Sequence, residues 1–151
     1  MAQIEIKNLT FRYPLEEKTA LKNISLSIDE GEYVVLCGKS GCGKTTLLKH
    51  LKTVLAPKGK KEGEIILQTD KIGFVMQDPE NQIVTDKVWH ELAFGLENLS
   101  LDSKTIRLRI AEISAYFSLE SIIDKKISEL SGGQKQMVCL ASILVMHPDV
   151  I

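Results

Sequence analysis

One stretch decides the fold of this chain: Gly38-Lys39-Ser40-Gly41-Cys42-Gly43-Lys44-Thr45. It fits the pattern G-x-x-x-x-G-K-[ST] in full. The apolar run Tyr33–Cys37 precedes it, and leucines at helical spacing follow it. A glycine loop between a strand and a helix is the context in which this motif holds phosphate groups. A chance glycine-rich turn is the alternative, and the complete spacing together with the lysine argues against it.

The residue types of this loop suit a nucleoside triphosphate. Its glycines let backbone N–H groups point at phosphate oxygens, and the helix that starts near Lys44 directs its positive end at the same anions. We expect Lys44 to bridge the β- and γ-phosphates, Thr45 to ligate Mg²⁺ and Thr46 to contact the α-phosphate. Cys42 is interpreted as a small space-filling residue rather than a nucleophile. The predicted nucleotide-binding residues here are Gly38, Lys39, Ser40, Gly41, Cys42, Gly43, Lys44, Thr45 and Thr46.

Composition indicates one ordinary globular unit. The chain has 151 residues, of which 44% are hydrophobic and 26% charged, with 19 basic and 20 acidic side chains. This balance gives no sign of a nucleic-acid groove or a polybasic membrane anchor. Cys37, Cys42 and Cys139 form no CxxC pair, which favours reduced thiols in the cytoplasm. We find neither an apolar leader nor the roughly 18 to 20 apolar residues of a spanning helix, so a membrane role would require a partner.

Hydrophobic patterning separates two kinds of strand. Alternating apolar and polar residues over Ile4–Tyr13 and Ile24–Ile28 predict an antiparallel β-subdomain. The continuous apolar run Tyr33–Cys37 predicts a strand buried on both faces of a parallel sheet. Glu64–Leu67 and Ile72–Val75 are expected to be two further short strands.

Three helices are predicted around these strands. The first is predicted from leucines that recur at helical spacing, and Pro57 and Gly59 end it. These leucines are Leu47, Leu48, Leu51 and Leu55. A helical insertion follows between positions 87 and 125, with Ser103 as an N-cap. The last helix begins after Ser131 and is stopped by Pro148. We expect it to bury Val138, Ala141, Leu144 and Val145.

A second motif, Leu130-Ser131-Gly132-Gly133-Gln134, heads this last helix. The serine and the two glycines present a hydroxyl, bare backbone N–H groups and a helix N-terminus to an anion. Taken alone, such a helix start is more often an ordinary cap.

The two motifs with Gln77 between them resemble the Walker A motif, Q-loop and LSGGQ signature of ABC ATPases, and the resemblance covers the whole chain. It implies an α/β fold: a RecA-like phosphate-loop core with an antiparallel β-subdomain and a helical subdomain, here incomplete at the C-terminus. It also implies that Leu130–Gln134 cap the γ-phosphate of ATP bound to a second ATPase head. That head is a homodimer or heterodimer partner, or a tandem repeat.

The same resemblance assigns roles to further residues. Tyr13 falls where the family places an aromatic ring that stacks on adenine; its alternative is packing on the core. Gln77 matches the glutamine that reaches Mg²⁺ and the attacking water, so Lys44 and Gln77 are the implied catalytic residues. The implied metal ligands are Thr45 and Gln77.

One group of ABC ATPases matches in more detail. The stretches Gln77–Gln82 and Val88–Leu99 resemble the ATPase subunits of energy-coupling factor transporters, which import vitamins and metal ions such as cobalt or nickel. The resemblance implies docking on a transmembrane coupling subunit, with a substrate-binding membrane subunit beside it, at the cytoplasmic face of the membrane. The alternative is a solvated helical face with Trp89 in the core.

The sequence departs from the family at two places. The family has a strand ending in Asp-Glu after Val150–Ile151, then a D-loop and a histidine, and none of these follows here. We therefore expect residues 1–151 to be the N-terminal portion of a longer ATP-binding domain, able to bind ATP but not to hydrolyse it alone. Met137 stands where the family commonly has arginine.

Other functions remain open at this point. One is a non-hydrolysing regulatory head that acts through Ser131–Gln134, and another is a soluble ABC-type ATPase of DNA maintenance. The latter typically has a long coiled coil between the two motifs, which is absent between Lys44 and Ser131.

Lys58–Lys61 is interpreted as a solvated loop. The three histidines have no metal-ligand spacing: His50, His90 and His147.

Overall fold

The computed structural model describes residues 2–151. The chain forms two compact units, one up to Ile72 and the other Gly73–Ile151. The strands are β1 (Ala2–Arg12), β2 (Leu21–Asp29) and β3 (Lys60–Leu67), and the α-helices are α1 (Lys44–Leu51), α2 (Val88–Asn98), α3 (Ser103–Phe117) and α4 (Gly132–Leu144). Single 3₁₀ turns lie at Thr53–Leu55, Pro79–Asn81 and Ile127–Glu129.

An antiparallel sheet in the order β2-β1-β3 organises the first unit. One face of β1 is buried through Ile4, Ile6, Leu9 and Phe11. The step from Ile6 to Leu9 is three residues rather than two, since Asn8 has a left-handed backbone (φ 51°) and the register shifts there. Such a bulge returns the next apolar residues to the core face. The antiparallel β-subdomain is thus confirmed, and β3 joins it.

Two predicted strands do not form. Tyr33–Cys37 has no strand structure, and Tyr33 is 93% exposed. A parallel strand needs hydrogen-bonded neighbours, and the three strands named among residues 2–151 all belong to the antiparallel sheet. The predicted strand Ile72–Val75 does not form either. Within the second unit, this segment makes one backbone hydrogen bond of the strand type, from the Gly73 N–H to the Val150 carbonyl oxygen (2.7 Å). Conversely, Lys60 and Lys61 lie in β3 rather than in a loop.

The second unit is a helical assembly around one apolar core. Helices α2, α3 and α4 enclose this core, and Trp89 packs against it while partly buried. No helix within residues 2–151 is long and apolar enough to cross a membrane. The largest fully buried side chains of this core are Val88, Leu92, Leu96, Val138 and Val145.

Helix α1 is shorter than the leucine spacing indicates. It ends at Leu51 because Lys52 adopts an extended backbone, and Leu55 lies in the following 3₁₀ turn. The ammonium of Lys52 donates to the carbonyl of Ile72 (2.6 Å), which holds this break in place. Leu47 is buried as expected, whereas Leu48 is 44% exposed.

Two other helix ends also differ from the prediction. The N-cap of α3 is Asp102 rather than Ser103, because the Asp102 carboxylate accepts from the N–H groups of Lys104 and Thr105 (both 3.0 Å). Helix α4 ends at Leu144, four residues before Pro148, and Leu144 is only partly buried. His147 has a left-handed backbone (φ 54°), which turns the chain before the proline is reached.

Candidate functional site

Two positions of the loop before α1 have backbone conformations that favour glycine. Gly41 (φ 76°) and Gly43 (φ 97°) have left-handed backbones, which strain other residues. A Cβ on Gly43 would lie 2.6 Å from the carbonyl oxygen of Ala20, whereas one on Gly41 would meet nothing within 4 Å. Gly43 therefore lets the loop approach the strand end, and Gly41 leaves bare backbone facing open space.

The ammonium of Lys44 is fixed against this loop. Its Nζ donates to the carbonyl oxygens of Gly38 (2.8 Å) and Lys39 (2.9 Å). It also lies 3.7 Å from Sγ of Cys42, whose side chain fills the space beside Gly38. An ammonium has three N–H donors, and all three have an acceptor in this loop, which orients the charge there.

The N-terminus of α1 suits an anion. Gly43 caps the helix without a side-chain hydrogen bond, and the first turn contains no acidic residue. The first N–H groups of a helix have no partner within the helix and carry the positive end of its dipole. Phosphate oxygens fit here because the open Gly41 backbone and the Lys44 ammonium add donors of the same kind.

The next two threonines have different surroundings. Thr45 is exposed, so its hydroxyl is available to a ligand. Thr46 is buried, and its Oγ1 lies 3.0 Å from the hydroxyl oxygen of Tyr13. Thr45 alone supplies one oxygen ligand, and Mg²⁺ in nucleotide sites takes most of its remaining ligands from waters and phosphates. The loop therefore fits a phosphate-bound magnesium ion but not a protein-only metal cage.

An aromatic cluster joins β1 to α1. The rings of Phe11 and Tyr13 meet edge to face with centroids 5.0 Å apart, and Phe11 meets His50 in the same way at 4.5 Å. Nδ1 of His50 lies 2.7 Å from the carbonyl oxygen of Thr46. Tyr13 also lines an open cleft of about 490 Å³, with Arg12, Pro14, Leu15, Glu16, Glu17, Gly59 and Lys60. Tyr13 is thus placed between the loop helix and a surface cleft.

The signature motif forms the start of α4 in the second unit. Ser131 Oγ accepts from Gln134 N–H (3.3 Å), and Gln134 Oε1 accepts from Ser131 N–H (2.9 Å), which completes a capping box. Leu130 is buried. Gly132 and Gly133 are exposed, and a Cβ on either would meet nothing within 4 Å. The motif is therefore a true helix cap whose two glycines serve no internal packing.

Gln77 lies in the same unit as the signature. Its side chain is exposed, and the residues after it form the 3₁₀ turn Pro79–Asn81, capped by the Asp78 carboxylate. Two side chains of this segment reach α4: Glu80 forms an ion pair with Lys135, and Gln82 donates to the carbonyl of Cys139.

A buried carboxylate, Glu91, was not singled out by its sequence pattern. Its Oε2 accepts from the N–H of Val84 (3.1 Å) and from the N–H (3.0 Å) and hydroxyl (2.8 Å) of Thr85. An acidic residue in the first turn of a helix is the only sequence signal for it. Burial first, and then the charge of Glu91, raises the pKa of the Cys139 thiol to about 11.

The described residues contain no group of three or more His, Cys, Asp or Glu side chains that could hold a metal ion. Among the predicted site residues, Tyr13 and the glycine loop lie in the first unit, and Gln77 and the signature lie in the second.

Comparison with known proteins identifies the family of the chain. The ABC transporter family matches residues 21–151, and the chain belongs to that family. Its α/β fold is that of an ABC ATPase cassette, with the small antiparallel sheet and the helices described above.

Individual proteins of this family are similar to the chain. The chain is 46% identical over 163 residues to a putative ABC transporter ATP-binding protein of Bacillus anthracis, covering 100% of this chain and 30% of that protein. It is 37% identical to an energy-coupling factor transporter ATP-binding protein of Mycoplasmopsis synoviae, covering 98% and 59%. The solved structure of cbiO1 from Clostridium perfringens, part of the ABC transporter complex cbiONQ, superposes with a TM-score of 0.83 at 30% identity, covering 97% and 62%. The chain thus spans about a third to three fifths of these proteins.

Proposed function

We propose that this chain binds ATP with Mg²⁺ as part of the ATP-binding domain of an energy-coupling factor importer, which hydrolyses ATP to drive uptake of vitamins or metal ions. The observation that carries the proposal is the phosphate loop: an α1 N-terminus without a side-chain cap, open backbone at Gly41 and an ammonium at Lys44 oriented by the loop itself. We assign residues 1–151 to this one domain.

The triphosphate is the part of the ligand that the loop recognises. Backbone N–H groups of the loop and the positive end of α1 would face the phosphate oxygens. Lys44 places its charge between the β- and γ-phosphates. Thr45 would supply a hydroxyl to Mg²⁺, and the charge of the bound ion would offset that of the phosphates. By the family resemblance, Gln77 would be a second ligand of Mg²⁺ and would orient the attacking water.

The nucleoside is recognised by Tyr13. Its hydroxyl is held near Thr46, and its ring borders the cleft of about 490 Å³. Stacking of a base on an aromatic ring contributes about 1 to 3 kcal/mol. Because Thr46 is buried with its hydroxyl beside Tyr13, we propose that its contact with the α-phosphate forms through the backbone N–H or after this hydrogen bond opens.

The signature is proposed to act on a second ATPase head. Gly132 and Gly133 are exposed and serve no packing within the chain, as expected of a surface that another molecule covers. Ser131, these glycines and Gln134 would cap the γ-phosphate of ATP held by that head, a homodimer, heterodimer or tandem partner. Binding to a transmembrane coupling subunit and a substrate-binding membrane subunit would place the protein at the cytoplasmic face of the membrane.

Competition between nucleotides tests this proposal on the chain itself. A fluorescent ATP analogue is bound in the presence of Mg²⁺ and displaced by ATP, ADP or AMP. Since the loop recognises the β- and γ-phosphates, ATP should displace the analogue at least about tenfold more readily than AMP, the equivalent of 1.4 kcal/mol. Equal displacement by AMP would contradict the proposal.

A second function is favoured by the open signature glycines: a regulatory head that acts in trans without hydrolysing ATP. The chain is mixed with an intact ABC ATPase head, and ATPase activity is measured against a Ser131→Ala variant. Stimulation or inhibition that the variant loses would support the regulatory role, and no effect of either chain would exclude it.

A further inference from the structure

The side-chain amide of Gln82 bridges two segments of the second unit. Its Oε1 accepts from the backbone N–H of Met76 (2.8 Å), and its Nε2 donates to the backbone carbonyl of Cys139 (3.0 Å). The bond to Cys139 is partly buried and spans 57 residues of sequence. Both ends of a single amide are thus used to join the two segments.

The two bridged segments carry the two functional motifs of this unit. Met76 is the residue directly before Gln77, so its N–H fixes the chain where it enters that loop. Cys139 lies in α4, eight residues after Ser131, which corresponds to about 12 Å along the helix at 1.5 Å per residue. Gln82 therefore ties the Gln77 loop to the helix that the signature begins.

Further contacts hold the same segment on the same helix face. The carboxylate of Glu80 pairs with the ammonium of Lys135, and Sγ of Cys139 donates to the carbonyl of Pro79 (3.9 Å). Lys135 and Cys139 are four residues apart and so share one face of α4. The 3₁₀ turn Pro79–Asn81, which follows Gln77, is capped by the Asp78 carboxylate, so hydrogen bonds within the segment also fix its shape.

We propose that Gln82 is a positioning residue that holds the Gln77 loop on the signature helix, so that any displacement of α4 carries Gln77 with it. The proposal rests on the proposed function, in which Gln77 and the signature both act on ATP. Gln82 itself contacts no reacting atom. Its loss should lower the rate of hydrolysis and leave ATP affinity unchanged, because triphosphate binding is assigned to Lys44 and its loop, whose hydrogen bonds do not involve Gln82.

The test uses the full-length ATPase that carries this sequence. Gln82→Ala removes both hydrogen bonds of the bridge. Gln82→Glu retains an acceptor for Met76 N–H but, when ionised, has no donor for the Cys139 carbonyl. Gln68→Ala, at an exposed glutamine after β3, is the matched control. We expect Gln82→Ala to lower kcat about tenfold with KM for ATP within about twofold, as two lost hydrogen bonds allow.

Two further readouts separate positioning from simple stability. Amide hydrogen exchange at Met76 should be faster in Gln82→Ala than in Gln68→Ala. The kcat of Gln82→Glu relative to the unmodified protein should rise as the pH falls, because a protonated carboxyl can donate to the Cys139 carbonyl. Activity lost only in proportion to the unfolded fraction would overturn the inference, and so would unchanged kcat and Met76 exchange.

The two proposals fail in different ways. If the unmodified protein hydrolyses ATP and Gln82→Ala does so equally well, the positioning role is wrong and the ATPase assignment stands. If the unmodified protein neither binds nor hydrolyses ATP, the proposed function is wrong, and the positioning role falls with it whatever the exchange rate of Met76.

Discussion

The hydroxyl oxygen of Tyr13 lies 3.0 Å from Oγ1 of Thr46, linking the end of β1 to the first turn of α1. Thr46 is buried, and the Tyr13 ring is also held edge to face by Phe11. The phenol is thereby anchored at both its hydroxyl and its ring, beside the phosphate loop and on the wall of a cleft. This arrangement allows the two contributions of Tyr13, hydrogen bonding and ring stacking, to be separated by substitution.

Substitution of Tyr13 should distinguish its ring from its hydroxyl. Tyr13→Phe removes the hydrogen bond to Thr46 and should cost about 1 kcal/mol of folding free energy, while ATP affinity stays within about threefold. Tyr13→Ala removes the ring as well and should weaken ATP binding by about 1 to 3 kcal/mol. Equilibrium binding of ATP to both variants checks this; equal affinity of Tyr13→Ala and the unmodified chain would indicate core packing alone.

The signature glycines should be replaceable without harm to the fold. Gly132→Ala and Gly133→Ala introduce methyl groups into open space at a helix start, and alanine favours a helix over glycine. Each variant should be more stable by about 0.5 kcal/mol in urea unfolding. In the assembled ATPase, however, the same methyl groups should lower hydrolysis severalfold, because a second head must approach there. A variant that is stabilised and fully active would argue against a role in trans.

Glu91 should be a major determinant of stability in the second unit. Glu91→Ala leaves two backbone N–H groups and the Thr85 hydroxyl without their acceptor, which should cost about 3 kcal/mol. Trp89, the single tryptophan, packs against the core of this unit, so its fluorescence follows unfolding there. Glu91→Gln, which keeps one acceptor oxygen, should lose less. Equal stability of both variants to the unmodified chain would show that Glu91 is dispensable.

The thiol of Cys139 should make stability depend on alkaline pH. Its pKa is about 11 in the folded chain, against an ordinary value of 9.0, because of burial and then Glu91. The folded state retains a proton that the unfolded state releases, so stability is unaffected below pH 9 and falls as pH rises toward 11. Urea midpoints measured from pH 8 to 11 check this, with Cys139→Ala as the control; identical pH dependence in both chains would contradict it.

Local patterns predicted the features that need only neighbouring residues. The alternation in β1 and β2 and the serine cap of α4 are confirmed. Asp102 and Ser103 are adjacent capping candidates, and only the structure shows that the Asp102 carboxylate accepts the helix N–H groups. Tyr33–Cys37 was predicted to be a buried strand and is exposed. A buried strand needs flanking strands, which no pattern within the run itself can guarantee.

Long-range contacts could not be predicted from the sequence. The Tyr13–Thr46 contact joins residues 33 positions apart, and the Gln82–Cys139 bond joins residues 57 apart. Tyr13 and Gln77 were identified as site residues only through the family resemblance. Glu91 lies in the stretch Val88–Leu99 but was not singled out there, because its importance comes from burial and from donors that the preceding loop presents.

The central claim, that the glycine loop binds the phosphates of ATP, is tested most directly by the affinity of a Lys44→Ala variant for ATP with Mg²⁺. Lys49→Ala, on the exposed part of the same helix, is the control for net charge. A charged hydrogen bond to phosphate contributes about 1.5 to 3 kcal/mol, so Lys44→Ala should weaken ATP binding by roughly 10- to 150-fold and Lys49→Ala by less than about twofold. Unchanged ATP affinity in Lys44→Ala would contradict the claim.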